Sequence, residues 1–255
     1  MPMKIEDRVS PYDYSFDPEG PSTAARISRM VGQGQRVLEL GCGYGVISRQ
    51  LSQAQGCTVT GVEIDPISAD QARPYLNALH VGTLEGDDWL AAVRGTYDVI
   101  VCADVLEHLR DPAYTLGQLL TLLAPDGRLV ASVPNVGHAG IIAALFCGRF
   151  DYTPTGLLDE THLRFFTWDS LERMLNAQGL EVARREAVNA GGNHEQFLEY
   201  WQPLPEPIKH MLNRHPTANV FQFVLEARRS EVPQRPWRVE DAEALQRWAD
   251  EVASG

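Results

Sequence analysis

From Gln35 onward, short runs of apolar and β-branched residues alternate with longer segments of helical periodicity. Such runs form strands, and the segments between them are long enough to be crossover helices, so the pattern predicts repeated β-α-β units. These units build a doubly wound, mostly parallel seven-stranded α/β sheet whose ligand site lies beyond the carboxyl ends of the strands. The predicted strands cover residues 36–40, 58–63, 81–85, 97–103, 128–133, 180–188 and 219–228.

Helical patterns fill the intervals between these strands. They cover residues 44–54, 67–79 (interrupted by Pro74), 113–123 and 170–178. Thr167 precedes the last helix as a capping residue, and Gly179 ends it. A Pro-Asp-Gly sequence at 125–127 predicts a turn before the fifth strand.

Several stretches do not fit the sheet pattern. We expect an N-terminal lid segment over residues 1–30 and a sheet domain over 31–230, with insertions at 138–166 and 191–218. Long excursions at one end of a sheet are commonly binding loops. Residues 231–255 contain a helical pattern that predicts a tail helix.

Charge and cysteine content exclude several classes of function. Lysine plus arginine number 22 and aspartate plus glutamate 34, so the net charge of −12 argues against a nucleic-acid partner, which clustered basic residues would bind. The longest apolar run, 141–146, is too short to insert into a membrane, and we expect a cytoplasmic chain. Four cysteines without CxxC spacing predict reduced thiols and no structural metal.

The sequence VLELGCGYG follows the first predicted strand and contains Glu39, Gly41 and Gly43. Glycines at such a turn let the backbone approach a ligand closely. A dinucleotide loop requires G-x-G-x-x-G, but Val46 occupies the sixth position from Gly41. Glu39 would repel a pyrophosphate and attract a cationic amino group, so we expect a positively charged ligand.

Acidic residues also follow three further predicted strands. Glu63 ends the second strand, where a carboxylate accepts hydrogen bonds from a ribose diol. Asp87, with Asp88 beside it, follows the third strand at a position suited to the exocyclic amine of adenine, and Trp89 is positioned to flank the ring. Asp104 follows the fourth strand. Each acid alone is equally well explained as a helix N-cap, but their recurrence favours a nucleoside site.

Together these residues resemble the class I S-adenosylmethionine-dependent methyltransferases. ELGCGYG matches the family's E/D-x-G-x-G-x-G loop, and ADVLEHL matches its strand-four segment. The resemblance implies S-adenosylmethionine as cofactor and S-adenosylhomocysteine as product. It places the methionine portion over Gly41 and Gly43, its amino group near Glu39, the ribose on Glu63 and adenine near Ile64, Asp87 and Asp88. Asp104 and Tyr14 complete this set of cofactor-binding candidates.

A narrower likeness rests on YDYSFDPEGP, SVPNVGH, GRFDY, GLLDETHLRFFT and FQFVLEARR. These segments are similar to a bacterial methyltransferase group linked with polysaccharide or secondary-metabolite tailoring. The likeness implies O-methylation of a small or glycosylated acceptor, most naturally a sugar or a secondary metabolite. Nitrogen or carboxylate acceptors and a non-catalytic S-adenosylmethionine-binding module remain open, whereas the glycine spacing and Glu39 disfavour a nicotinamide dehydrogenase.

A hydroxyl acceptor requires a base, and histidine has a suitable pKa. His138 and His162 are the first candidates, and His108 is next because the resemblance gives the strand-four Glu-His pair an architectural role. His194 is a further candidate. The residues predicted to contact the acceptor are Tyr152, Arg164 and Trp201.

A catalytic metal is not expected from the sequence. Asp159, Glu160 and His162 carry donor atoms within four positions, but so short a cluster does not place all three on one ion without a favourable loop. Among partners we expect a small-molecule acceptor, and a homodimer is allowed.

Overall fold

The computed structural model describes residues 14–230 and Arg247. Its strands are β1 (Arg36–Leu40), β2 (Thr58–Glu63), β3 (Ala78–Val81), β4 (Tyr97–Ala103), β5 (Leu123–Pro134), β6 (Leu180–Asn189) and β7 (Val220–Arg229). They form one sheet in the order β3-β2-β1-β4-β5-β7-β6. β1 pairs in parallel with β2 and β4, β3 pairs in parallel with β2, and β6 runs antiparallel to β7. The predicted mostly parallel α/β sheet is confirmed.

The α-helices are α1 (Thr23–Val31), α2 (Val46–Arg49), α3 (Pro66–Ala72), α4 (Asp88–Ala92), α5 (Pro112–Leu120), α6 (Ala139–Phe146), α7 (Trp168–Ala177), α8 (Leu198–Trp201) and α9 (Glu206–Leu212). A π-helical turn extends α2 through Gln50–Ala54, and short 3-10 helices cover Arg73–Tyr75, Leu106–His108 and Glu195–Phe197. Thr167 caps α7 through a capping box with Ser170, as the sequence predicted.

The described residues fall into two compact units. The first comprises residues 14–103 with Gln118–Val130, and its core contains β1, β2 and β4. The near-continuous apolar sequence of β4 leaves only Asp98 exposed, as expected for a parallel strand covered on both faces. Parallel strands end at the same edge of a sheet, so β1 and β2 bring Glu39 and Glu63 to one edge of this unit.

The second unit comprises Asp104–Gly117 and the described residues from Ala131 onward. The two predicted insertions fold here and share apolar contacts. Ala139 and Ala143 of α6 pack with Trp201, Leu204 and Ala218. A second cluster joins Ile141, Leu157, Leu158 and Phe197. The insertions therefore support each other through a common core, because each alone is too short to bury its apolar side chains.

Two details of the predicted elements are wrong. β3 lies at Ala78–Val81 instead of 81–85, because Pro74 cannot continue a helix and the chain becomes extended at Leu76. No turn forms at 125–127, and β5 begins at Leu123 instead of at residue 128. The chain stays extended through Pro125 because Leu123 is already buried, and proline is compatible with extended backbone at an exposed position.

The predicted tail helix lies outside the described residues, apart from Arg247, and so does the N-terminal segment before Tyr14. Within residues 14–30, Ser22 caps α1, whose residues Ile27 and Val31 are buried. Among the described residues, every helix is too short or too polar to cross a bilayer.

Candidate functional site

Three glycines follow β1 in the first unit and form the glycine cradle: Gly41, Gly43 and Gly45. All three have positive φ, at 59°, 51° and 75°, a conformation that favours glycine. A Cβ atom on Gly43 would meet no atom within 4 Å, whereas one on Gly45 would lie 2.8 Å from Ala72 Cα. Gly45 therefore allows α2 and α3 to pack closely, and Gly43 leaves space for a ligand.

Glu63 at the end of β2 fixes the shape of this cradle. Gly43 N donates to Glu63 Oε2 at 2.8 Å, and Asp65 N donates to Oε1 at 2.9 Å. A carboxylate has about four lone-pair positions, so each oxygen can accept one more hydrogen bond. The next side chain, Ile64, is 68% exposed. This end of β2 thus offers hydrogen-bond acceptors beside an uncovered apolar surface.

Glu39 is buried at the end of β1, where Ser48 Oγ donates to its Oε2. Burial raises the pKa of Glu39 from 4.5 to about 7, the Ser48 hydrogen bond opposes that shift, and the negative charge of Glu63 adds to it. A cationic group near this edge would favour the ionised form of Glu39.

The remaining cofactor candidates of the first unit are exposed. Asp87 accepts a hydrogen bond from the amide of Gln118, and Asp88 lies in the first turn of α4. The carbonyl of Tyr14 accepts from the Arg49 guanidinium at 2.9 Å. Trp89 is fully buried, so it belongs to the core and does not flank a ligand as the sequence suggested.

Asp104 directly follows β4 and is counted with the second unit. It is the one residue other than glycine with positive φ among the described residues, at 55°. Its carboxylate accepts from Ser132 Oγ at 2.7 Å and from the amide of Gln222. Desolvation by the surrounding protein raises the pKa of Asp104, against the effect of these two hydrogen bonds. Strained backbone held in this way is frequent at functional sites.

The structure separates the four histidine candidates. His138 caps α6, with Nδ1 accepting from Gly140 N at 3.1 Å and Nε2 donating to the Ala190 carbonyl at 2.8 Å. It is fully buried, and desolvation lowers its pKa. His194 similarly accepts a hydrogen bond from Gln196 N. With both ring nitrogens engaged, His138 has a structural role, and this geometry does not support its prediction as a base.

His108 and His162 lie together, with ring centroids 4.9 Å apart. Thr161 Oγ1 donates to the Asp159 carboxylate at 2.6 Å, so it can only accept from His108 Nδ1, at 3.1 Å. The Thr161 carbonyl also accepts from this nitrogen at 3.3 Å. His162 Nδ1 lies 3.3 Å from the Leu157 carbonyl and must donate to it. Each imidazole therefore carries a proton on Nδ1, so its neutral form has the lone pair on Nε2.

Glu107 was missed as a site residue by the sequence analysis. It is 1% exposed, and neither carboxylate oxygen has a hydrogen-bond partner. Its carbonyl accepts from Leu163 N at 2.8 Å and Arg164 N at 2.9 Å, which ties it to the His162 loop. Burial, aided by the negative charges of Asp104 and Asp159, raises the pKa of Glu107 well above its usual range. Its position before His108 in ADVLEHL was the available signal.

We call Glu107, His108 and His162 the histidine cluster. One donor atom of each side chain lies within 4.8 Å of one donor atom of each of the other two. Desolvation lowers the pKa of His162, and the neighbouring His108 adds to this effect. The cluster therefore combines two imidazoles with a buried carboxyl group.

The three predicted acceptor contacts have different environments. Tyr152 is 53% exposed and meets Phe150 edge to face at a centroid distance of 5.6 Å. Phe165 lies 6.4 Å from both the Tyr152 and the His162 rings. Arg164 donates to the Arg110 carbonyl, and Trp201 is buried in the core of the insertions. Tyr152 is thus well suited to contact an acceptor, whereas Trp201 serves packing.

Comparisons with known proteins show what the chain is similar to. Residues 20–184 match a family described as a methyltransferase domain. The chain is 30% identical over 172 residues to a ubiquinone biosynthesis O-methyltransferase of Aeromonas salmonicida, covering 64% of this chain and 70% of that protein. It is 28% identical over 156 residues to the Aromatoleum aromaticum protein of the same name, covering 59% and 65%. The match therefore spans about two thirds of the length of these relatives.

Solved structures share the fold at low sequence identity. Magnesium protoporphyrin IX methyltransferase from Synechocystis, with bound S-adenosylhomocysteine, superposes with a TM-score of 0.53 at 20% identity, over 82% of this chain and 80% of that one. The CcbJ methyltransferase of Streptomyces caelestis gives 0.55 at 19% identity, over 86% and 94%. The [4+2]-cyclase SpnF gives 0.55 at 14% identity, over 84% and 85%. Proteins with this fold therefore catalyse more than one type of reaction, so the reaction of this chain has to be inferred from the residues of its site.

Proposed function

Since this chain belongs to the class I S-adenosylmethionine-dependent methyltransferases, we propose that it transfers a methyl group to a hydroxyl oxygen of a small aromatic acceptor. The observation that carries the proposal is the pair of imidazoles, His108 and His162, with Nε2 unengaged beside exposed aromatic side chains. The relatives named as ubiquinone biosynthesis O-methyltransferases support oxygen as the acceptor atom.

The glycine cradle and Glu63 bind the cofactor in this proposal. The methionine portion passes over Gly43, where the space for a side chain is unfilled. The ribose hydroxyls donate to the remaining lone pairs of Glu63, which the two backbone amides hold in place. Ile64 covers one face of the adenine ring, and Asp87 accepts from its amino group. Glu39 and the loop orient the cofactor's amino group.

The histidine cluster activates the acceptor in this proposal. As the hydroxyl proton is lost at the cluster, a lone pair of the oxygen forms the new bond to the methyl carbon. The bond between that carbon and the sulfonium breaks, and the sulfur keeps its electron pair, which gives S-adenosylhomocysteine. Positioning contributes most of the acceleration, about 7–11 kcal/mol, because the cofactor already carries an activated methyl group. Activation of the hydroxyl adds about 10²–10⁴-fold.

An aromatic acceptor is supported by the exposed rings of Tyr152 and Phe150, which meet edge to face. Both rings lie near Phe165, whose ring centroid is 6.4 Å from that of His162. Offset or edge-to-face contact with such rings stabilises a bound aromatic ring by about 0.5–1.5 kcal/mol beyond its buried area. A sugar or other secondary-metabolite hydroxyl, expected from the narrower likeness, is the alternative acceptor. Sugars also stack on exposed aromatic rings.

Purified protein with S-adenosylmethionine and a panel of catechols, monophenols, pyranosides, amines and carboxylic acids tests the proposal. We expect a mass gain of one methylene on a phenolic oxygen and an equal amount of S-adenosylhomocysteine. Methylation only on sugars would change the acceptor class, and methylation only on nitrogen or carboxylate would overturn the proposed chemistry. Tight S-adenosylhomocysteine binding in calorimetry without turnover on the whole panel would instead support a non-catalytic binding module.

A further inference from the structure

We propose that Asp151 is a positioning residue for acceptor binding, because it holds the loop that presents the rings of Phe150 and Tyr152 to the acceptor. The inference rests on the proposed function, since it concerns the aromatic acceptor assigned there. Asp151 acts through its two neighbours in the chain and takes no part in the methyl transfer itself. Three observations carry the assignment: the backbone of the loop, the hydrogen bonds of Asp151 and the packing of the rings.

The first observation is the backbone of residues 147–153, which we call the aromatic loop. At its start the N–H of Arg149 donates to a carbonyl of α6 at 2.9 Å, and at its end the N–H of Thr153 donates to the Leu158 carbonyl at 2.9 Å. Within the described part of the chain, the N–H groups of residues 150–152 donate to no backbone carbonyl. Backbone hydrogen bonds therefore fix the two ends of the loop, and side chains have to fix its middle.

The second observation is the pair of hydrogen bonds that Asp151 accepts. Its Oδ2 accepts from Arg149 Nε at 2.8 Å and from the hydroxyl of Tyr200 at 3.0 Å. The Arg149 bond first, and the Tyr200 bond after it, hold the pKa of Asp151 below its usual value, so the carboxylate is ionised at neutral pH. Tyr200 lies on α8 and packs against both apolar clusters of the insertions. Its hydroxyl therefore ties the middle of the aromatic loop to the core of the second unit.

The third observation is the arrangement of the rings on either side of Asp151. Phe150 is 37% exposed and Tyr152 is 53% exposed, and their rings meet edge to face. The Phe165 ring lies 5.8 Å from that of Phe150 and 6.4 Å from that of Tyr152, and Phe165 packs against the core. The core thus supports the pair through Phe165, and the backbone between the two rings is held by Asp151. This carboxylate therefore sets how the exposed rings are oriented.

The exposure of the Asp151 contacts determines which property they affect. Both side chains of the Arg149–Asp151 pair are at least half exposed, at 58% and 50%, and exposed ion pairs contribute little to the stability of a fold. Loss of Asp151 should leave the fold intact but free the middle of the aromatic loop. The acceptor would then have to order two aromatic side chains when it binds. We therefore expect a weaker affinity for the acceptor and an unchanged chemical step.

Binding of 2-naphthol, a flat aromatic compound with one hydroxyl, tests the inference without an activity measurement. Equilibrium dialysis with the full chain saturated with S-adenosylhomocysteine should show one saturable site. Asp151→Ala should weaken binding by about 5–20-fold, and Tyr200→Phe, which removes only the hydroxyl, by about 3–10-fold. Asp151→Asn keeps an accepting oxygen and should bind within about 3-fold of the natural chain. Asp70→Ala removes an exposed ion pair on α3 and should leave binding unchanged.

Combined variants distinguish positioning from a direct contact. Asp151→Ala together with Tyr200→Phe should bind as weakly as Asp151→Ala alone, because both changes remove the same hydrogen bond. In a chain that carries Phe150→Ala and Tyr152→Ala, the further change Asp151→Ala should have no effect, because the rings that it positions are gone. All of these variants should keep the natural Tm.

Kinetics on the acceptor found in the panel gives a second readout. Asp151→Ala should raise KM by about the factor measured for 2-naphthol and change kcat by less than about 2-fold, because acceptor binding is lost and the transition-state contacts are kept. A merely structural role would instead lower the amount of folded enzyme, and so kcat and Tm, without raising KM.

The inference is overturned if the natural chain shows no saturable binding of 2-naphthol at millimolar concentration, or if Asp151→Ala and Tyr200→Phe bind it as the natural chain does. It is equally overturned if Asp151→Ala weakens binding in the chain that lacks both rings. Methyl transfer to a phenol with a natural KM in Asp151→Ala would remove the role of Asp151 and leave the proposed function intact. The expected binding changes with no transfer to any acceptor would retain that role and remove the proposed function.

Discussion

The glycine cradle and the histidine cluster differ in how their polar groups are satisfied. In the cradle, Glu63 accepts from two backbone amides, and Glu39 accepts from Ser48. In the cluster, Nδ1 of His108 and Nδ1 of His162 are hydrogen-bonded, but the carboxylate of Glu107 has no hydrogen-bond partner. In the cradle these carboxylates have protein partners, whereas in the cluster both oxygens of the buried Glu107 carboxylate lack a hydrogen-bond partner.

This difference indicates two modes of ligand binding. A hydrogen-bonded loop whose glycines have positive φ is preorganised. Cofactor binding to such a loop therefore costs little conformational entropy of the protein. A buried polar group without a hydrogen-bond partner is instead stabilised when a ligand supplies that partner. We therefore expect changes in the cradle to affect cofactor affinity, and changes in the cluster to affect the chemical step.

The largest effect is expected from Gly43→Val, which should abolish measurable S-adenosylhomocysteine binding. The side chain would occupy the space that we assign to the ligand, because no protein atom lies within 4 Å of it. Gly56→Val is the matched control, since Gly56 also has positive φ and open surroundings. Both variants should lose a similar 1–2 kcal/mol or so of stability, but Gly56→Val should bind normally. Calorimetry with circular dichroism checks both, and normal binding by Gly43→Val would refute the cradle.

The next largest effect concerns the cluster. His162→Ala and His108→Ala should each lower kcat by roughly 10²-fold or more and leave S-adenosylhomocysteine affinity unchanged, because activation of the hydroxyl acts only in the transition state. His138→Gln tests the assignment of His138 to a structural role. Because His138 is buried and both ring nitrogens are hydrogen-bonded, this change should lower the stability of the fold more than it lowers kcat. Steady-state kinetics on the acceptor found in the panel provides the measurement. Natural kcat and pH dependence in both cluster variants would exclude the cluster from the chemistry.

A smaller effect is expected from Glu63→Ala. It should weaken cofactor and product binding by about 1.5–3 kcal/mol, because charge-assisted hydrogen bonds to the ribose and the two bonds that hold the loop are lost. Glu63→Gln should be milder, since its amide oxygen still accepts one bond. Asp70→Ala, an exposed change on α3, should have almost no effect. An unchanged dissociation constant for Glu63→Ala would contradict its assignment to the ribose.

The smallest effect, expressed per pH unit, is a pH dependence of stability from Glu39. Its pKa is raised by burial from 4.5 to about 7, so between these pH values the folded chain holds a proton that the unfolded chain has lost. The free energy of unfolding should therefore fall as the pH rises through this range, by at most about 1.4 kcal/mol per pH unit. Glu39→Gln should reduce this slope. Denaturant unfolding of both proteins at several pH values measures it, and equal slopes would show that Glu39 remains ionised.

Much of the first unit was predictable because its signals are local. β1, β2 and β4 have their predicted bounds, since near-continuous apolar runs define buried parallel strands. The glycine cradle lies directly after β1, so its motif is contiguous in the sequence. The predicted bounds of β3 and the predicted start of β5 were wrong. Pro74 ends the helix before β3, and the burial of Leu123 extends β5 toward its start. Burial depends on neighbouring strands, so it is not visible in the local sequence.

The sequence by itself determined the class of fold and the residues of the cradle, because hydrophobic periodicity and glycine chemistry act over a few neighbouring positions. Only the tertiary structure showed how the environments of the histidines differ. His138 and His162 have equally suggestive sequence contexts, but one is enclosed with both nitrogens bonded and the other meets His108 from a loop more than fifty residues away. Burial and hydrogen-bond partners are set by packing between distant segments. For the same reason the unpartnered carboxylate of Glu107 became visible only in the fold.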